Sequence, residues 1–296
     1  LILLPAFLVT TGWFWLFSQP QDRRELTRLF GTEKPIGLGA AYGSVCIVAL
    51  LILWTGYGFR YEPYVQTFRS QLWDIGVGHT AYLMGQFSTQ GWWYYFPLAL
   101  LIKTPLPTLI LAAWGLWILA RRMPLLELGF LVWPPLLLGA LFTFGNAKNI
   151  GLRYLLGIYP FLFLLIGITA ISALRSWRTY LITALAIWYV SGTVRNHPHH
   201  LSYFNELIGG PENGYHYLVD SNLDWGQDLK GLKTYVDEHN IERIKLSYFG
   251  TVDPRLYDLQ YEWLPSAFLP NPEGQPAHIP TTGIIAISVT NLVGVY

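Results

Sequence analysis

Residues 92–105, WWYYFPLALLIKTP, decide how this chain is read. Aromatic rings come first, then an aliphatic run, then Lys103. Aromatic side chains concentrate where a bilayer meets water, because one end of the ring is wet and the other dry. The run behind them ends in a cation, and a charge at that depth is costly unless it reaches the interface or finds a partner. A second stretch, GLRYLLGIYP at 151–160, places Arg153 in the same way at the outer end of an apolar helix. Two cations near one leaflet, in a chain with a soluble domain outside, point to a lipid phosphate.

The break after Lys103 admits two readings. Pro removes a backbone donor from a helix interior, so KTPLP marks either a kink or a new start. In the second case Thr104 is the N-cap and Pro105 the first helical residue. Free N–H groups, the helix dipole and the Lys103 charge would then converge on an anion. The alternative is a lysine that snorkels to the headgroups. Arg153 carries a planar fork suited to phosphate, and Lys148 lies in the same short turn; ordinary interfacial anchoring is the competing reading.

Composition agrees with a membrane protein. The 296 residues are 52% hydrophobic and only 12% charged, against about 25% charged in soluble domains. A net charge of +1 argues against a nucleic-acid partner. The single cysteine, Cys46, cannot form an intramolecular disulfide. The chain begins Leu-Ile-Leu-Leu-Pro without a basic leader and ends at LVGVY after a strand-like run, which reads as a fragment cut at both ends.

Along the chain, six apolar runs read as membrane spans: 1–17, 36–56, 95–120, 125–145, 154–174 and 179–194. Basic residues set the orientation. Arg23, Arg24, Arg28 and Lys34, then Arg121 and Arg122, then Arg175 and Arg178 fall in alternate loops and mark the cytoplasmic side. The expected architecture is a polytopic α-helical membrane protein of about six transmembrane helices, with a carboxy-terminal extracytoplasmic α/β domain. Residues 1–195 form the helical domain, with an aromatic external loop at 57–94, and 196–296 form the soluble domain. In that tail, 218–220 reads as a strand end and 225–239 as an amphipathic helix with Leu229, Leu232 and Val236 on one face. KLSYFG at 245–250 and GIIAISV at 283–289 read as strands, with a parallel pairing and a proline-rich loop at 262–282.

The aromatic loop and the tail hold further candidates for chemistry. In the aromatic loop, Trp92 and Trp93 offer faces for a prenyl chain or a sugar ring, or form an interface belt. His79 is the loop's one imidazole, an acid or base if it is not structural. HPHH at 197–200 lacks helical metal-ligand spacing and a thiol, so a hydrogen-bonded junction is preferred over zinc. Asp220, Asn222 and Asp224 have the one-three-five spacing of a calcium loop, but Trp225 stands at the glycine position and Gly231 at that of the bidentate Glu. Asp224 to Gln227 has capping-box spacing instead. A strand-to-helix turn there is also a common ligand site, which keeps Asp220, Asn222 and Asp224 as substrate-binding candidates. No metal site is assigned, and a divalent metal cofactor stays open.

Three stretches together resemble a known family. GQFSTQGWWYYFPLALLIKTPLP at 85–107, GLRYLLGIYPFLFLLIG at 151–167 and LSYFNELIGGPENGYHYLVDSNLDWGQDL at 201–229 are similar to bacterial members of the GT-C superfamily. The nearest group is glycosyltransferase family 39, the protein-mannosyltransferase-like enzymes. The resemblance implies a multi-pass enzyme of the inner (plasma) membrane, embedded among membrane lipids and serving the cell envelope. It would pass a sugar from a polyprenyl-phosphate donor to a protein, lipid or glycan acceptor, as in protein glycosylation. Lys103, Arg153 and Tyr154 then correspond to contacts of the carrier phosphate, with Lys148 beside them. The family's catalytic carboxylate lies in the first external loop, and neither Glu62 nor Asp74 matches it, so the base is expected upstream of Leu1. The implied reaction is direct displacement at the anomeric carbon, with a carboxylate deprotonating the acceptor and cations stabilising the departing phosphate. A transporter or flippase for a lipid-linked sugar, and a membrane-anchored binding module, are the rival readings.

Overall fold

The computed structural model describes residues 35–77, 79–123, 125–145, 148–173, 177–266, 268–269, 271 and 282–294. The expected span 1–17 and the four basic residues that follow it lie outside the described residues, as does most of 262–282. In chain order the elements are α1 Pro35–Gly56, α2 Glu62–Val77, β1 Ala81–Leu83, β2 Gln86–Ser88, α3 Tyr95–Lys103, α4 Leu106–Arg122 and α5 Leu125–Gly145. A 3-10 turn, Leu152–Ile158, runs into α6 Tyr159–Ala173. Then come α7 Arg178–Arg195, α8 Leu229–Glu238, β3 Ile244–Ser247, β4 Tyr261–Trp263, β5 Ile285–Ile287 and α9 Val289–Val293.

Among the described residues, two helices are long and apolar enough to cross a membrane, Leu128–Gly145 within α5 and Leu152–Ala173. The α3–α4 pair makes a third if its two halves are counted as one broken span. Gly43–Gly56, within α1, is a shorter apolar helix. The chain is therefore compatible with a membrane protein on two or three spans. The run at 179–194 forms α7, which does not meet the same test of length and apolarity.

The chain divides into two compact units. One takes residues 1–77, 110–146 and 155–182. Its core joins Ala112 and Leu119 of α4, Leu128 of α5 and Leu165 of α6. The α4–α6 crossing is close because Gly115 has no side chain; a Cβ there would lie 2.1 Å from the Leu165 carbonyl oxygen. Thr169 adds a polar tie, its hydroxyl donating to the Leu111 carbonyl at 2.9 Å. Small residues at the seam and an interhelical hydroxyl bond are how apolar helices associate where burial alone does not distinguish lipid from protein. Pro134 and Pro135 lie inside α5 without ending it.

The other unit takes residues 78–109, 147–154 and 183–296. Strands β1 and β2 pair as an antiparallel hairpin, Ala81 opposite Ser88. Its turn residues Met84 and Gly85 have φ of 49° and 82°, the pair of positive values that a two-residue turn needs to match strand twist. Helix α3 buries Tyr95, Phe96, Ala99 and Ile102, one face at helical spacing. Its last carbonyls, which no helical N–H can reach, are taken up by Asn205. The Asn205 amide donates to the carbonyls of Leu101 at 2.6 Å and Thr104 at 2.8 Å, and its backbone N–H to that of Ile102 at 2.9 Å.

The sheet of this unit is three-stranded and parallel, in the order β4-β3-β5. Helix α8 presents Leu229 and Val236 to it, packed with Ile244, Leu246, Tyr248 and Leu259, and Leu232 joins at the edge. Three expectations change. Residues 218–220 are no strand, because Asp220 takes φ 57° and opens a 3-10 turn over Asp220–Asn222. The helix starts at Leu229 instead of 225, since 224–228 form a separate turn. The capping box is absent: the Asp224 carboxylate accepts from the Gly226 N–H at 2.9 Å, and Gln227 bonds the Trp225 N–H instead of reaching back to Asp224.

Candidate functional site

The turn DSNLDWG, 220–226, is where most of the sequence candidates meet. Asn222 is buried and organises it. Its side-chain oxygen accepts the Leu152 N–H at 2.9 Å, and its amide donates to the Tyr95 hydroxyl at 2.9 Å and the Val219 carbonyl at 3.2 Å. Next to it, the Ser221 hydroxyl donates to the Ile150 carbonyl. This contact is close enough that a Cβ on Gly151 would collide with the Ser221 oxygen. The Asp220 N–H donates to the Thr290 hydroxyl at 3.1 Å, tying the turn to α9. Segments far apart in sequence are thus stitched by buried polar pairs, each partner costly to strand.

Lys103 belongs to this network. Its ammonium donates to the carbonyls of Leu201, at 2.7 Å, and Asn222. It also sits 4.3 Å from the centroid of the Phe204 ring, within cation–π range. The cation has therefore found partners, which answers the cost of its position. Lys103 lies in the last turn of α3, one residue before the Thr104 that closes it. Helix α4 begins at Leu106, with the Pro105 carbonyl accepting the Leu109 N–H at 3.2 Å, one residue later than the expected N-cap. Thr104 instead closes α3, in extended backbone.

Arg153 stands differently. It is exposed, and its guanidinium carbon lies 5.4 Å from the Tyr154 ring and 5.2 Å from the Trp225 ring. Tyr154 in turn meets Phe96 edge-on at 6.0 Å. The result is a cation flanked by two aromatic faces, with its backbone held by the Leu152–Asn222 bond.

Of the sequence candidates, Lys103, Arg153, Tyr154, Asp220, Asn222 and Asp224 converge on this turn. The Trp92 backbone N–H donates to the side-chain oxygen of Asn149, next to Lys148 in sequence, at 2.6 Å. Trp93 is exposed and its ring pairs with Tyr94. His79 places a ring nitrogen 3.0 Å from the Thr80 carbonyl. His199 meets the Asp228 carboxylate at 3.2 Å, a hydrogen-bonded junction. Among the described residues no group of three or more His, Cys, Asp or Glu is placed to hold a metal ion. Tyr95, Asn205, Ser221 and Trp225 were not among the candidates, although a polar Asn205 between aromatic and apolar stretches is a signal that such an amide is spoken for.

Asp224 is the electrostatically unusual group. Burial raises its carboxyl above the ordinary range; the Gly226 N–H and the Ser288 hydroxyl oppose the shift, and the charges of Asp228 and Asp220 add to it. Tyr248, whose hydroxyl donates to the Gly226 carbonyl at 2.8 Å, is pushed up to about 12 by burial, with Asp224 adding to the shift.

No family model, curated protein or solved structure matches this chain. The likeness to the GT-C enzymes rests on the three quoted stretches alone.

Proposed function

We propose that the chain belongs to a membrane glycosyltransferase that takes a sugar from a polyprenyl-phosphate carrier at the extracytoplasmic face. In this reading six helices and the carboxy-terminal α/β domain make a multi-pass protein of the plasma membrane, and the acceptor is a protein, lipid or glycan. The observation that carries it is Arg153: an exposed guanidinium between the rings of Tyr154 and Trp225. A guanidinium fork matches a phosphate, and flanking aromatic faces suit the sugar or the first prenyl unit. Lys103 takes a supporting part, holding the carbonyls of Leu201 and Asn222 and so the turn that presents Trp225. In this reading neither Lys103 nor Arg153 is the general base.

The test is binding of a polyprenyl phosphate to the purified chain by native mass spectrometry, for wild type, Arg153→Ala and Arg153→Lys, followed by sugar release from a polyprenyl-phosphate hexose. Arg153→Ala is expected to weaken binding at least tenfold, about 1.4 kcal/mol, and Arg153→Lys to recover only part of it. Wild-type binding in Arg153→Ala overturns the carrier site. Tight binding with no sugar released by the protein extended upstream favours a lipid-linked sugar transporter.

A further inference from the structure

A cavity of about 410 Å³ opens at the carboxyl ends of β3 and β5, beside the start of α8. Crevices at the carboxyl ends of parallel strands are where α/β sheets hold ligands, and this volume lies in the range of small-molecule pockets. Its walls are mostly apolar, Leu229, Leu232, Leu246 and Ile287 among them, with hydroxyls from Ser202, Tyr248 and Ser288. Its charged groups are the carboxylates of Asp224 and Asp228, with His199 on Asp228. Among the described residues no lysine or arginine lines it.

The two carboxylates differ. Asp228 precedes α8, where the positive end of the helix dipole balances part of its charge, and it is exposed beside His199. Asp224 is buried and accepts from the Gly226 N–H and the Ser288 hydroxyl. No cationic side chain pairs with it among the described residues. A buried carboxylate without a counter-charge is costly, and a cation brought to it in the same cavity offsets that cost. An anionic ligand meets repulsion there.

We propose that this cavity binds a small amphiphilic cation, with an apolar body against the ends of β3 and β5 and an ammonium on the Asp224 carboxylate. Arg153 does not line this cavity, and the probes below test it apart from the carrier reading.

Three probes of one shape and different charge decide it: cyclohexylmethylamine, cyclohexylmethanol and cyclohexanecarboxylate. Their binding to the chain in neutral-lipid nanodiscs is measured by titration calorimetry at pH 8. The amine is expected to bind at least tenfold more tightly than the alcohol, and the carboxylate not at all. Asp224→Asn should bring the amine down to the level of the alcohol. Gly231→Phe adds bulk at the rim, where a Cβ meets open space, and should block both while the melting transition is kept. Equal affinity for the three probes, no binding of any, or an amine preference that survives Asp224→Asn overturns the proposal. Unchanged binding in a folded Gly231→Phe does the same, by placing the amine elsewhere.

Discussion

Replacing Asn222 by leucine probes the stitch that holds the site. The change keeps the branched outline and the number of heavy atoms and removes both ends of the amide. The Leu152 N–H then loses its 2.9 Å acceptor and the buried Tyr95 hydroxyl its 2.9 Å donor. Each stranded group costs about 1–3 kcal/mol, so about 2–6 kcal/mol together. The added apolar burial returns ~1 kcal/mol. A net loss of about 1–5 kcal/mol is expected, seen as a melting transition lowered by several degrees. Hydrogen exchange gives the sharper readout. Peptides spanning 148–156 should exchange roughly 5- to 150-fold faster, the equivalent of about 1–3 kcal/mol at the Leu152 amide. Asn222→Asp is the internal control. It keeps an oxygen for the Leu152 N–H, so protection there should survive, while the pairing with the Val219 carbonyl becomes repulsive and still lowers stability. If Asn222→Leu melts within ~0.5 kcal/mol of wild type, the range of an ordinary surface change, and peptides 148–156 keep their protection, the stitch does not hold the site and the role given to Asn222 is wrong.

Two more outcomes follow from the geometry. Gly115→Ala drives a methyl against the Leu165 carbonyl and should destabilise the helical unit by about 1–3 kcal/mol through overpacking; Gly167→Ala on α6 meets open space and should be neutral or gain up to ~1 kcal/mol of helix propensity, so equal melting of the two variants would refute the close crossing. For Asp224 the sign runs the other way from a paired carboxylate: burial raises its folded-state pKa, so ionisation costs stability above that value, and the cost disappears as pH falls below the ordinary carboxylate range. Asp224→Asn should therefore melt higher than wild type at pH 8 and lose that advantage by about pH 3, below the reference carboxylate pKa of ~3.9; a gain independent of pH would point to packing instead of charge.

How far the sequence reaches can be traced through particular residues. The break at KTP, the face Leu229–Leu232–Val236 and the strands around 245 and 285 are written in local spacing, because a helix turn or a strand pleat relates residues only a few positions apart. Local signals failed at 218–228, where apolar residues before a polar turn read as strand then helix. There Asp220 is locked into positive φ as its N–H is drawn to Thr290, seventy positions away.

Residue spacing alone shows that the chain carries membrane-length apolar helices, that cations sit at their ends, and that the tail alternates helix with strand. What those cations do depends on contacts made across the fold. Lys103 and Arg153 look alike on paper, each a basic residue at an apolar run. The fold gives one the carbonyls of Leu201 and Asn222, 98 and 119 positions downstream, and leaves the other exposed between Tyr154 and Trp225. A half-buried ammonium must be met by fixed dipoles and an exposed guanidinium need not be. Which of the two a residue becomes depends on groups brought to it from outside its own helix.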